Sequence, residues 1–135
     1  MGYDSRVEGD IFIEPKVSHK LMDELMAKNF AQKPEDKYYK GGRELVVDYS
    51  KSKQLTDEGV LISYRGFAIT CPWDGPHKAY TIIDDLKEII FILGPGYTYK
   101  GFLQISGEED GDLWRLRIKD GKVEEVHPTI VWPED

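Results

Sequence analysis

Thr81-Ile82-Ile83-Asp84-Asp85-Leu86-Lys87-Glu88-Ile89-Ile90-Phe91-Ile92-Leu93-Gly94-Pro95 is the stretch that decides the fold of this 135-residue chain. Ile82, Ile83, Leu86, Ile89, Ile90 and Leu93 recur at the spacing of one helical stripe. Thr81, with Asp84 three residues on, has the form of a capping box in which Asp replaces the usual Glu or Gln. Gly94-Pro95 is a stop signal. Burying each such side chain is worth about 1.5–3 kcal/mol. The helix must therefore lie on a flat apolar surface.

The last third of the chain supplies that surface. Tyr99 to Ser106, Asp112 to Ile118 and Val123 to Trp132 read as three strands. Asp120-Gly121 predicts a two-residue hairpin turn, so the strands it joins are antiparallel. Alternation puts Trp114, Leu116 and Ile118 on one face, with Trp114 as an anchor under the helix. Val126, Ile130 and Trp132 share one face of the last strand, and Arg115, Arg117, His127 and Thr129 are expected to point the other way.

Working back toward the start, Arg6 to Glu14 alternates as a half-buried strand, with Phe12 the exception on its polar side and Pro15 its end. Ser18 is an N-cap for a first helix over residues 19–30, and Val17 and Met22 have the spacing of a hydrophobic staple. Residues 31–43 and 49–59 read as loops, Glu44 to Asp48 as a short strand, and Val60 to Thr70 as a strand with a bulge or turn at Gly66. The order β-α-β-β-α-β-β-β predicts one α+β domain over residues 1–135, two helices packed on one face of a mostly antiparallel sheet.

Composition excludes several classes. At 40% hydrophobic and 32% charged residues the chain is a folded domain rather than a disordered one. No apolar run reaches the length of roughly 18–20 residues that a membrane helix needs, and Met1 to Arg6 lacks the order of a signal peptide. A single cysteine, Cys71, permits no intrachain disulfide, so a cytoplasmic setting is expected. The net charge of −7 opposes nucleic-acid binding, which needs a basic surface. Glycine-rich phosphate loops, a G-x-S-x-G elbow and kinase elements are absent, so no cofactor and no catalytic residue is expected.

Four groups of residues are candidates for a site. Glu108, Glu109, Asp110 and Asp112 offer hard oxygen ligands for a divalent cation, or simply form a solvated hairpin turn between Gly107 and Gly111. Arg115 and Arg117, with His127 and Thr129, form either an anion patch or one side of cross-strand charge pairs with Arg6, Glu8, Asp10 and Glu14. Tyr38, Tyr39 and Trp73 are aromatic residues in polar or Pro/Gly-rich surroundings, suited to contacts with a partner. Cys71 and His77 share the loop Cys71-Pro72-Trp73-Asp74-Gly75-Pro76-His77, which reads as a buried thiol beside a packed tryptophan rather than a nucleophile and its base.

Trp73-Asp74 and Lys78-Ala79-Tyr80 ahead of the helix, Gly107-Glu108-Glu109 through Gly111-Asp112-Leu113-Trp114-Arg115, and Trp132-Pro133-Glu134-Asp135 form a recognisable set. With Met1-Gly2-Tyr3 and Ile13-Glu14-Pro15 they resemble small proteins of actinobacteria and their phages, the DUF6205 family of unknown function. Residues 31–59 carry none of this likeness. The resemblance implies a phage-type accessory protein that binds a host or defence component. A non-enzymatic binding protein is therefore the expected function, its partner a protein or small molecule. The alternatives are a small metal-dependent hydrolase using residues 108–112 and a structural protein. A monomer or small homo-oligomer is expected, without nucleic acid or membrane.

Overall fold

The computed structural model describes residues 4–109, 111–129 and 131–134. Its elements are β1 (Ser5–Glu8), β2 (Asp10–Val17), α1 (His19–Ala27), β3 (Val46–Thr56), β4 (Gly59–Thr70), α2 (Ile82–Leu93), β5 (Thr98–Gly101), β6 (Leu103–Gly107), β7 (Leu113–Lys119) and β8 (Lys122–Val126). It is an α+β arrangement with antiparallel strands throughout. The strands divide between two four-stranded sheets, β1-β6-β7-β8 and β3-β4-β2-β5.

One kinked ribbon makes that division. β1 pairs with β6 and β2 with β5, and the register runs unchanged from Glu8↔Gln104 to Ile11↔Gly101, two residues intervening on each strand. At the kink Gly9 has φ 93° and Gly101 φ 96°. A Cβ on Gly9 would lie 2.6 Å from the Phe102 carbonyl oxygen, and one on Gly101 would lie 2.6 Å from that of Asp10. Only glycine lets the two backbones pass this closely in that conformation. The expected single strands over Arg6 to Glu14 and Tyr99 to Ser106 are thus each cut in two.

β2 also runs past Pro15 to Val17, since Pro15 sits where the register with β4 is irregular and no ladder bond is needed from its nitrogen. The largest correction concerns residues 49–59, which are not a loop. β3 and β4 pair continuously from Ser50↔Arg65 to Thr56↔Gly59 and project as a hairpin arm. Residues 50–62 are all exposed, so the arm lacks the buried face that would have marked it as a strand pair. The bulge expected at Gly66 is present, with the register shifting where Tyr49 pairs Gly66.

Ser18 caps α1, its hydroxyl accepting from Leu21 N at 3.3 Å. The helix ends at Ala27, short of residue 30, because Asn29 turns left-handed at φ 67°. Asn29 N then donates to Met26 O and Phe30 N to Leu25 O, a Schellman closure with Leu25 and Phe30 both buried. α2 spans Ile82–Leu93 and stops at Gly94 as expected, but Thr81 makes no side-chain cap bond. Its stripe joins Ile11, Ile13, Leu25, Leu103, Ile105 and Leu116 in one core fed by both sheets.

Asp120 and Gly121 form the expected turn, with φ 52° and 75°. Lys119 therefore pairs with Lys122 and Arg115 with Val126, which sets Val126 on the arginine face and His127 on the Trp114 face. The facing expected for His127 and Val126 is reversed. β8 ends at Val126, and Trp132 is 83% exposed instead of joining a strand face. Ile130 lies outside the described residues.

Candidate functional site

The neighbours Tyr38 and Tyr39 meet Trp73, distant in the sequence, around one open cleft. Its volume is about 450 Å³, and Gln32, Lys37, Val46, Val47, Asp48, Tyr49, Thr70 and Pro72 complete the lining. That volume lies within the range of roughly 300–1,000 Å³ usual for ligand sites. A larger, shallower groove lies around Phe12, Pro15 and Phe67, with Glu14, Lys16 and Thr98 also in its lining.

The cleft is held by its second layer. Tyr39 lies across from Trp73, ring centroids 5.6 Å apart. The Tyr39 hydroxyl donates to Asn29 O and accepts from Arg43 N at 2.9 Å. Trp73 Nε1 donates to Arg43 O at 2.9 Å. Tyr49 closes the floor, donating through its hydroxyl to Gln32 O at 2.6 Å. Burial raises the pKa of both phenols, Tyr39 and Tyr49, so they are neutral near pH 7. Tyr38 stands at the rim, 67% exposed, with Lys37 Nζ 5.5 Å from its ring centroid. The cleft thus offers aromatic faces, one cation at Lys37 and one carboxylate at Asp48.

Arg43 is the hub. Its Nε and Nη2 donate to Lys28 O at 3.1 and 3.0 Å, and its guanidinium lies over the Phe30 ring at 4.2 Å. The Lys28 carbonyl belongs to the end of α1, which has no intrahelical partner for its last carbonyls. Nη1 reaches Glu88 at 3.7 Å and Asp85 at 4.0 Å. Asp85 is buried on the apolar stripe of α2 and accepts from Glu44 N at 2.7 Å. Neither Arg43 nor Asp85 was singled out from the sequence. The usable signal was an acid at position 85, between Ile82 and Leu86 on the buried side of the helix.

Behind Trp73 lie Cys71, His77 and Glu44. His77 Nε2 is 2.9 Å from Glu44 Oε2 and 3.7 Å from Cys71 Sγ, while Nδ1 is 3.2 Å from Gly75 O. The Glu44 contact is close but poorly aligned, and Oε2 is buried with no hydrogen-bond partner. In a nucleophilic triad the carboxylate binds the ring nitrogen remote from the nucleophile. Here both groups crowd one nitrogen, and burial pushes the Cys71 thiol pKa up, away from the thiolate. The trio packs the loop and lacks the geometry of an activated thiol.

Burial raises the pKa of Asp85 above 3.8 and that of Glu44 above 4.5. A carboxyl whose folded pKa is raised contributes stability that is complete below the unfolded pKa and is lost as pH rises through the folded one. Unfolding free energy measured from about pH 4 to 7 is therefore expected to favour Asp85→Asn progressively over the wild type as pH rises. A pH-independent difference would contradict the burial of an ionising Asp85.

The remaining candidates do not converge. Arg117 Nη2 is engaged by Glu124 at 2.8 Å, and Arg115 donates to Gln104 at 3.1 Å and lies over the Phe102 ring. Both arginines have partners from β6 and β8, not from Glu8, Asp10 or Glu14, because β1 pairs with β6. His127 stacks on the partly buried Trp114 at 6.1 Å between centroids, on the opposite face of the sheet, and Thr129 is exposed beyond β8. Glu108 accepts from Asp4 N at 2.9 Å, and the turn closes through Gly107 N to Asp112 O at 2.7 Å. Asp110 lies outside the described residues. Among the described residues no three His, Cys, Asp or Glu side chains are grouped to hold a metal ion. Among them, too, no helix is long and apolar enough to cross a membrane.

No curated protein and no solved structure matches the chain. The family model described as "Family of unknown function (DUF6205)" matches residues 1–135, and the chain belongs to that family.

Proposed function

We propose that this is a non-enzymatic binding protein whose ligand site is the aromatic cleft of Tyr38, Tyr39, Tyr49 and Trp73. The observation that carries the reading is the convergence of these four rings on one cleft, with Tyr39 and Trp73 fixed by the Arg43 backbone. Rigid aromatic walls with a polar rim are the usual anchor sites of protein interfaces. The partner is a protein that places an apolar or aromatic side chain between Tyr38 and Trp73. A phage accessory factor acting on a host or defence component in the cytoplasm is the finer form of this proposal. It rests on the likeness to actinobacterial and actinophage proteins alone.

Affinity capture from an actinobacterial lysate tests it. Tyr38→Ala and Lys37→Glu change rim residues without touching the Arg43 bonds. A partner held by the wild type is expected to be lost, with affinity falling at least about tenfold, or 1.4 kcal/mol. Equal retention by wild type and variants, or no reproducible partner, would overturn the proposal.

A further inference from the structure

Among the described residues, no strand borders the outer edge of the β3–β4 arm. β3 is the outermost strand of its sheet, and residues 50–56 lie beyond the sheet's body. Such an edge presents unpaired backbone N–H and C=O groups. The register puts Leu55 opposite Val60, Lys53 opposite Ile62 and Lys51 opposite Tyr64, so these side chains share one face. Leu55 is 84% exposed, and Val60 and Ile62 are exposed beside it. The arm is therefore an apolar strip bounded by two lysines.

A second segment mirrors it. Thr129-Ile130-Val131-Trp132 is a run of β-favouring residues, yet among the described residues 127–134 carry no strand or helix. Val131 and Trp132 are 81% and 83% exposed. Glu134 follows them, with Asp135 next in the sequence. Lysines on an edge strand ordinarily repel another chain, but an acidic segment turns that repulsion into pairing. The lengths also agree. The outer part of β3 spans about 23 Å, and residues 127–134, fully extended, reach at most about 26–29 Å.

We infer that two copies of this chain associate, residues 127–134 of one adding as a strand to the free edge of β3 in the other. Main-chain bonds along the edge give the affinity in this mode. Trp132 covers Leu55, Val60 and Ile62, and Glu134, two residues on and so on the same face, meets Lys51 and Lys53. A two-fold axis makes the exchange reciprocal, so the interface closes at a dimer. The inference does not depend on the aromatic cleft.

Sedimentation velocity on the full chain, over about 1–100 μM, tests it. The wild type is expected to be a dimer. Trp132→Ala, and separately Lys51→Glu with Lys53→Glu, are each expected to raise the dissociation constant at least tenfold. Adding Glu134→Lys to the Lys51→Glu/Lys53→Glu chain is expected to restore association. All these positions are exposed, and unchanged unfolding midpoints at low concentration will confirm that the variants fold. A wild-type monomer throughout, or a dimer indifferent to both sets of substitutions, would overturn the inference.

Discussion

Gly101→Ala is expected to lower the unfolding free energy by about 2–5 kcal/mol, a large share of the 5–15 kcal/mol typical of a domain. Two costs combine. A left-handed backbone angle costs a non-glycine residue roughly 1–2 kcal/mol. Forcing a methyl group into filled space costs about 1–3 kcal/mol more, and here the obstacle is a backbone carbonyl oxygen 2.6 Å away that cannot rotate aside. Gly9→Ala meets the same geometry from the other strand, with Phe102 O in place of Asp10 O. Because the two glycines share one kink, the double substitution is expected to cost less than the sum of the singles. Urea titration checks this through the midpoint, with the slope unchanged if only stability has moved. A loss below about half a kcal/mol, the level of an ordinary surface change, would mean that the ribbon is not kinked there.

Arg43→Ala is expected to cost about 2–4 kcal/mol and to abolish partner capture. The substitution removes two bonds to the end of α1 and the contact with Phe30, worth roughly 0.5–2 kcal/mol alone. It also leaves the buried Asp85 without its nearest cation. The full cost of a broken buried pair is not reached, since Asp85 keeps the Glu44 N–H and Arg43 is itself a third exposed. Arg43→Lys keeps the charge but not the planar fork, so it is expected to fall between wild type and Ala. Urea titration gives the first effect and affinity capture at a temperature where the variant is folded gives the second. Full capture by folded Arg43→Ala would separate the cleft from its supposed support.

α2 was legible because its apolar spacing, its burial and its Gly94 stop all point the same way. The ribbon was not. A glycine inside a strand signals a bulge or a close approach, and nothing in Gly9 or Gly101 says that the opposing glycine lies across from it. The arm was hidden for the opposite reason. Residues 50–59 project past the core, so they owe nothing to a buried face and look like polar loop, although Val60 to Thr70 was legible as a strand. The facing of His127 was available in the sequence, because a two-residue turn at Asp120-Gly121 pairs Lys119 with Lys122 and so Trp114 with His127. Turn geometry, rather than an assumed alternation, sets that face. Tyr38, Tyr39 and Trp73 could be picked as aromatics in loops, but their meeting depends on Arg43, an ordinary-looking residue of a polar segment.

The central claim is that the aromatic cleft is the contact surface, and site-specific photocrosslinking tests it most directly. A photoreactive phenylalanine analogue at position 38 is compared with the same group at position 91, where Phe91 is 83% exposed on α2, outside the cleft. Irradiation in an actinobacterial lysate is expected to give a discrete protein adduct from position 38 and none from position 91. No adduct at position 38, or the same adducts from both positions, would contradict the account.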